Sequence, residues 1–413
     1  MKEKILSGIN DPQQLEKLYR SNKTPFKREF SNLYPELKGN ALADFWHERL
    51  RYESDEVAWG TINDLLFVAI AVLIAGFLVK IPAILPVPEE FYYPRNAGFI
   101  VFPVLAAYFA WKNKLSLQTT GFISIAILVC VFYINSLPAS TTSDTLLLAC
   151  IHLPLLLWVL LGISYAGDEL NNYKKRLDYL RFNGDLIVMS AVLGLAGVLM
   201  TGITIALFSL ISLQIEEFYG EYVVAFGLPA VPIVGTYLTQ TNPQLVNKVS
   251  PIVAKIFSPL VLVMLIIYLA AIVYSGKDPY NDREFLLLFN VLLIGVMALI
   301  FFSIAESSGK TRNSDVWVLF LLSLVTVIVN GIALSAIIFR ITEFGITPNR
   351  LAVLGGNFLM LLNLLLITFR LFQSFRKKAD VAEAEHSIAL FLPVYTLWTV
   401  VVVFVFPLVF GFK

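Results

Sequence analysis

The chain has 413 residues, 57% hydrophobic and 15% charged, with 31 Lys and Arg against 30 Asp and Glu and a net charge of +1. Soluble globular chains are roughly 45–50% apolar and about 25% charged. This composition excludes an ordinary water-soluble fold, a disordered chain and a nucleic-acid binder of the basic-patch kind. The apolar residues fall in long uninterrupted runs, the pattern of a multi-pass membrane protein.

Residues 1–60 differ sharply from the rest, holding 10 of the 31 basic and 10 of the 30 acidic residues. They read as a small helical unit, cytoplasmic in the orientation derived below. Asp11-Pro12 and Thr24-Pro25 pair an N-cap oxygen with proline at the first helical position, and Asn40 opens a third helix bearing Leu42, Phe45, Trp46 and Leu50 on one face. Three such helices bury little apolar area alone, so the unit is expected to pack on the membrane domain or at its surface. His47 falls on its polar side. Met1 to Asn63 has no apolar core segment and no small-residue cleavage site, so the first spanning helix is expected to serve as its own insertion signal.

Eleven apolar cores follow in residues 61–413: Leu65–Val79, Ala97–Trp111, Phe122–Leu137, Thr145–Tyr165, Leu186–Leu213, Tyr222–Leu238, Ile256–Tyr274, Phe285–Ala305, Val316–Phe339, Leu351–Phe369 and Ile388–Phe412. A spanning helix needs about 20 mainly apolar residues, so the first three borrow flanking residues. With the N-terminus inside, the cytoplasmic loops between cores carry 14 Lys and Arg and the outer segments 7, leaving 10 of the 31 for the N-terminal unit. That bias predicts an N-terminus inside and, after eleven crossings, a C-terminus outside.

No Asp, Glu, Lys or Arg lies within these cores. Intramembrane charges mark proton relays, voltage sensors and ion pathways, so their absence argues against a proton-coupled antiporter, an ion pump or a voltage-gated channel. The interior polar candidates are His152, Asn290, Asn330, Asn357 and Asn363, with Asn135, Thr201 and Thr204 beside them. Asparagines on spanning helices commonly bond a neighbouring helix. Cys130 and Cys150 sit in apolar runs and read as buried thiols, with no disulfide framework, metal or cofactor implied. Gly227, Pro229, Pro232 and Gly235 make Tyr222–Leu238 the most interrupted core, a candidate broken or re-entrant helix of the kind that lines transporter sites. Gly355-Gly356-Asn357 is a second candidate interruption.

The outer loops gather Glu216, Glu217, Glu221, Lys277, Asp278, Asp282, Arg283, Arg340, Glu343 and Arg350. Converged, these groups could hold a phosphate or a cation; unconverged, Asp282 and Thr347-Pro348 cap helices and the rest anchor at the interface. Ile215–Gly220 and Ile341–Gly345 echo each other and would fit an internal repeat.

Phe344-Gly345-Ile346-Thr347-Pro348-Asn349-Arg350, following Arg340, resembles the aromatic-Gly-Leu/Ile-Thr-x-x-Arg signature of a bacterial multi-pass membrane family catalogued only as a domain of unknown function. Ser275–Asp282 and the helical N-terminal unit are similar to one branch of it, with Phe344 where that signature has tyrosine. The resemblance implies an inner-membrane location and lends no catalytic or binding residues.

The sequence thus predicts an all-α polytopic bundle of about eleven spanning helices behind a small N-terminal unit, with the lipid bilayer as its principal partner and no nucleic acid. Three functions fit. The first is a permease-like or flippase-like carrier of a neutral or amphiphilic molecule. The second is a membrane-embedded enzyme at the outer interface using Asp278, Asp282, Glu343 and Arg350 on a lipid-linked or envelope substrate. The third is a scaffold or signalling subunit docking a cytoplasmic protein through residues 1–60.

Overall fold

A computed structural model describes residues 2–21, 23–52, 60–138, 143–169, 171–246, 249–275, 280, 283–306, 313–376 and 381–412. It is 88% helical, with no strand among the described residues. The chain divides into two units, Met1–Trp59 and Gly60–Lys413.

The first unit comprises α1 (Lys2–Ser7), α2 (Pro12–Ser21), α3 (Lys23–Leu37) and α4 (Ala41–Tyr52). Two starts are capped as the sequence predicts. Asp11 Oδ1 accepts from the Gln13 and Gln14 amides at 2.9 and 3.2 Å, and Asn40 Oδ1 from those of Leu42 and Ala43 at 3.0 and 3.1 Å. α3 begins before Thr24, which is therefore not its cap. The unit has a core of its own, contrary to the expectation from three short helices. Ile5 on the unforeseen α1 joins Leu15, Phe26, Phe30, Leu33 and Trp46, all buried. The Trp46 ring lies 5.3 Å from Phe26 and 5.4 Å from Tyr19, and such rings bury far more area than aliphatic residues. His47 stacks on Tyr34 with ring centres 3.6 Å apart.

The second unit is a helical bundle, as a chain in hydrocarbon must be, because only a helix satisfies every backbone group within its own segment. Its elements are α5 (Ile62–Val79), α6 (Ile81–Ile84), α7 (Glu89–Lys112), α8 (Leu117–Ser136), α9 (Asp144–Ala166), α10 (Tyr173–Leu210), α11 (Glu216–Phe218), α12 (Ala225–Thr241), α13 (Ser250–Ser275), α14 (Arg283–Glu306), α15 (Asn313–Phe344), α16 (Pro348–Phe375), α17 (Ala382–Val400) and α18 (Phe406–Val409). π-helical turns at Tyr219–Val224 and Val401–Val405 join α11 to α12 and α17 to α18.

Ten of the resulting helices are long and apolar enough to cross a membrane. α7 is not among them, because Glu89, Glu90, Arg95, Asn96 and Lys112 dilute its apolar core. Its contacts nevertheless carry it through the bundle. At one end Tyr92 Oη donates to Leu78 O at 2.7 Å and Tyr93 Oη to Val79 O at 3.1 Å; at the other Lys112 Nζ pairs with Asp64 Oδ1 at 3.0 Å. α7 therefore runs antiparallel to α5 along its whole length, and with the ten makes eleven traversals. Gly60 and Phe412 then lie on opposite faces. The contacts Asn113 Nδ2 to Ser164 O (3.2 Å), Lys255 to Asp315 (3.6 Å) and Ser143 Oγ to Phe412 O (2.9 Å) join helix ends in that same alternation.

Caps fix the helix starts. Thr61 and Asp64 form a capping box on α5, while Ser116, Ser143 and Asn172 accept from first-turn amides of α8, α9 and α10. Two large apolar cores result, beside a smaller cluster of Leu148, Ala352, Val402 and Phe406. One joins α5, α7, α8 and α9 around Phe109, Ile134 and Leu157; the other joins α13 to α17 around Phe289, Ile300 and Ile367. α10 packs only through its first half, where Leu177, Phe182 and Met189 are buried, whereas Leu195, Val198 and Leu207 stand exposed.

The expectation of a broken sixth span is not met. Glu216–Thr241 is one continuous helical span with Pro229 and Pro232 inside it. A π-helical turn at Tyr219–Val224 precedes the two prolines in this span. Pro229 is buried, Gly235 packs against Leu186 and Ser190 of α10, and Gly227 faces open space. Nor is α16 interrupted at Gly355-Gly356. A Cβ on Gly355 would lie 2.1 Å from the Trp398 ring, so the glycine is the seat of that indole. The two echoing hairpins differ as well: Glu216–Gly220 opens a helix, whereas Ile341–Phe344 closes one.

Candidate functional site

An unpaired polar group in hydrocarbon is costly, so its pairing state separates structural from functional candidates. Many interior hydroxyls are satisfied within their own helices. Thr326, Thr368, Thr396 and Thr399 each donate to the carbonyl four residues back, at 2.6 to 2.9 Å. His152 Nδ1 lies 2.9 Å from Leu148 O in the same way, which gives that ring a local structural role. Cys130 and Cys150 are free thiols.

The four asparagines of the second core behave differently. Asn357 Nδ2 donates to Asn290 Oδ1 at 2.8 Å, tying α16 to α14. Deeper in, Asn363 Nδ2 donates to Tyr395 Oη at 3.0 Å, and that hydroxyl reaches Met297 Sδ at 4.0 Å. Asn330 is fully buried, and neither its Nδ2 nor its Oδ1 has a partner; Asn363 Oδ1 and Trp398 Nε1 are likewise buried and unpartnered. Asn330 lies 14 residues before the end of α15 and Asn363 15 residues after the start of α16. At 1.5 Å per residue both are about 21–23 Å from the turn joining these helices, level with each other near mid-depth. Asn330 of α15 and Asn363 of α16 thus share one level, where Asn330 Nδ2 and Oδ1 and Asn363 Oδ1 have unused hydrogen-bonding capacity, while Tyr395 Oη is engaged with Asn363 and reaches Leu359 O at 3.5 Å.

The described members of the candidate outer cluster are not brought together by any ion pair. Lys277, Asp278 and Asp282 lie outside the described residues, and of Arg283 only its place at the start of α14 is described. Glu221 pairs with Lys80 at 2.7 Å, and Lys80 also sits 4.7 Å from the centre of the Tyr222 ring. Glu216, Glu217 and Glu343 are exposed, and Arg340 is part-buried with Nη1 unpartnered. Among the described residues no ion pair joins members of this set. Arg350 donates through Nη1 to Phe344 O at 2.8 Å and Gly345 O at 2.7 Å, capping the end of α15. Gly345 has φ +77°, Thr347 accepts from the Arg350 amide, and Pro348 takes the first turn. The aromatic-Gly-Ile-Thr-Pro-x-Arg run is therefore a complete helix-to-helix connector, and the Phe344 ring serves as a face for the Arg350 guanidinium 5.5 Å away.

No known protein family, characterised protein or solved structure matches this chain. Its functional reading rests on the geometry.

One polar constellation was not anticipated from sequence. On the Gly60 face, Arg181 of α10 pairs with Asp178 at 3.1 Å and Glu385 of α17 at 3.9 Å and donates to Ala305 O at the end of α14, while Ser250 of α13 donates to Asp185. Four helices are latched there. The i, i+3, i+7 spacing of Asp178, Arg181 and Asp185 was the available signal, marking one charged face of a helix. Arg95, 4% exposed, is a second omission: it donates to Ile134, Leu137 and Pro138 carbonyls at 3.2 to 3.3 Å, closing the end of α8. Among the described residues no group of three or more His, Cys, Asp or Glu is placed to hold a metal ion.

Proposed function

We propose that the membrane unit is a permease-like or flippase-like carrier of a neutral or amphiphilic molecule. The observation that carries this reading is the mid-depth layer at Asn330, Asn363 and Tyr395, where carboxamide atoms are buried without protein partners. A group left unpaired costs about 1–3 kcal/mol, and a leucine of similar size would avoid that cost. The absence of Asp, Glu, Lys and Arg from the apolar cores favours an uncharged cargo. The exposed outer half of α10 offers hydrocarbon-facing surface along which an amphiphile can approach. The bacterial inner-membrane location is what the resemblance at Phe344–Arg350 implies, and the 14 to 7 bias in Lys and Arg supports an N-terminus inside.

Lipid and metabolite profiles of a deletion strain of the source organism, compared with the complemented strain, test this directly. The expected result is redistribution of a neutral or amphiphilic species, matched by flux of that species in proteoliposomes holding the full chain. Identical profiles together with absent flux would remove the carrier reading.

A further inference from the structure

We infer that the layer at Asn330 and Asn363 is a binding site for a neutral molecule presenting a hydrogen-bond donor and acceptor side by side, as in an amide, ureide, lactam or nucleobase edge. This deepens the carrier reading, on which it rests for how the molecule reaches mid-depth. A primary carboxamide carries one acceptor and two donors on adjacent atoms, and in Asn330 both atoms are buried and unpartnered. The complementary group is another amide, which closes a ring of two parallel hydrogen bonds. The Asn363 side chain is held by its Nδ2 bond to Tyr395 Oη, which leaves its buried Oδ1 as a further acceptor. Val329 and Ala333 flank Asn330 and Met360 lies one turn from Asn363, all buried, so the remainder of the ligand is apolar or flat. A charged ligand would enter without a counter-ion, because the spanning cores supply none. A hydroxyl alone satisfies one Asn330 atom at a time, which ranks it below an amide.

The same primary-amide or cyclic-amide edge exists in free solutes and in primary-amide lipids, and two probes separate them. The full chain, purified and reconstituted in liposomes, is titrated with radiolabelled uracil and with a fluorescent primary fatty amide, using glycerol and the matching fatty alcohol as hydroxyl controls. One amide probe is expected to bind in preference to its control. Asn330→Leu is expected to weaken that binding about tenfold or more, the loss of two neutral hydrogen bonds, with a thermal midpoint no lower than wild type. Asn330→Thr, whose hydroxyl can bond its own helix as Thr326 does, gives the same loss by a second route. Binding of neither amide probe to wild type, or unchanged binding in both variants, overturns the inference. Flux recorded in the same liposomes keeps the two proposals apart: amide binding without flux ends the carrier reading alone, and flux indifferent to Asn330 ends the site alone.

Discussion

Two helix pairs of the bundle use the same residue type to opposite ends. Between α7 and α8, Asn96 and Asn135 each donate to the other's Oδ1 at 2.9 Å, and their second donors go to Tyr92 O and Val131 O. Between α15 and α16, Asn330 finds no partner and Asn363 finds one for Nδ2 alone. Residue type and burial therefore say little about role in a membrane interior. The count of satisfied donors and acceptors says more, because hydrocarbon offers no substitute for a missing partner.

The sharpest way to break the comparison is to damage the satisfied side. Arg95→Leu removes a buried cation whose three bonds go to carbonyls at the end of α8. With hydrogen bonds to charged groups worth about 1.5–3 kcal/mol each and less when summed, the variant should lose roughly 3 kcal/mol. The thermal midpoint of the purified full chain should fall by several degrees, and an unchanged midpoint would mean that water serves those carbonyls equally well. Next comes the seat of Trp398. Gly355→Val places a branched side chain where even a Cβ meets the ring at 2.1 Å, and overpacking of this kind costs about 1–3 kcal/mol. Tryptophan fluorescence should shift as the indole is expelled; retention of both midpoint and spectrum would refute the seat.

The comparison itself is a difference in sign. Asn96→Leu strands Asn135 and should destabilise by about 1–3 kcal/mol, whereas Asn330→Leu strands nothing and should be neutral or stabilising. Measuring both midpoints in one detergent decides it. If Asn330→Leu falls as far as Asn96→Leu, the Asn330 amide is structurally paired and the mid-depth layer loses its distinction.

Much of this was legible in the sequence, and the reasons for the remainder are specific. Each of the eleven apolar cores coincides with a helical segment, three of them overrunning its end by one to three residues, because twenty apolar residues in hydrocarbon have no alternative. α7 was legible from Ala97–Trp111 although its flanks are polar, whereas the first half of α10 was not, since Tyr173–Asp185 is amphipathic and reads as a loop beside a core. Pro229 and Pro232 mark lost amides in the sequence, but a membrane helix can carry prolines within a continuous span, as Glu216–Thr241 does. The Phe344–Arg350 run is legible as a signature, and only the φ of Gly345 and the carbonyl contacts of Arg350 reveal it as a turn. All four asparagines were legible as candidates. Nothing in the sequence ranks Asn330 above Asn290, since a partner sixty or more residues away decides which is satisfied.

The smallest expected effect lies in the connection after α9, where polar pairing faces water instead of lipid. Asp168 accepts from Thr119 Oγ1 at 2.6 Å and from Ser116 Oγ and its amide at 3.0 and 3.2 Å, and these bonds, the Thr119 hydroxyl first, hold its carboxyl below the usual carboxylate range. A carboxyl with its folded pKa depressed adds stability above the unfolded pKa and loses it as pH falls through the folded value. Wild type and Asp168→Asn should therefore differ slightly at neutral pH, with wild type the more stable, begin to converge near the ordinary aspartate pKa of about 4 and meet once pH has fallen through the lower folded value. Thermal midpoints of both proteins across pH 3 to 7 give the curve. A gap that persists at the acid end would assign the effect to hydrogen-bond geometry, and a gap that is absent throughout would show that water replaces the three donors at no cost, which is the contrast between an exposed cap and a carboxamide at mid-depth.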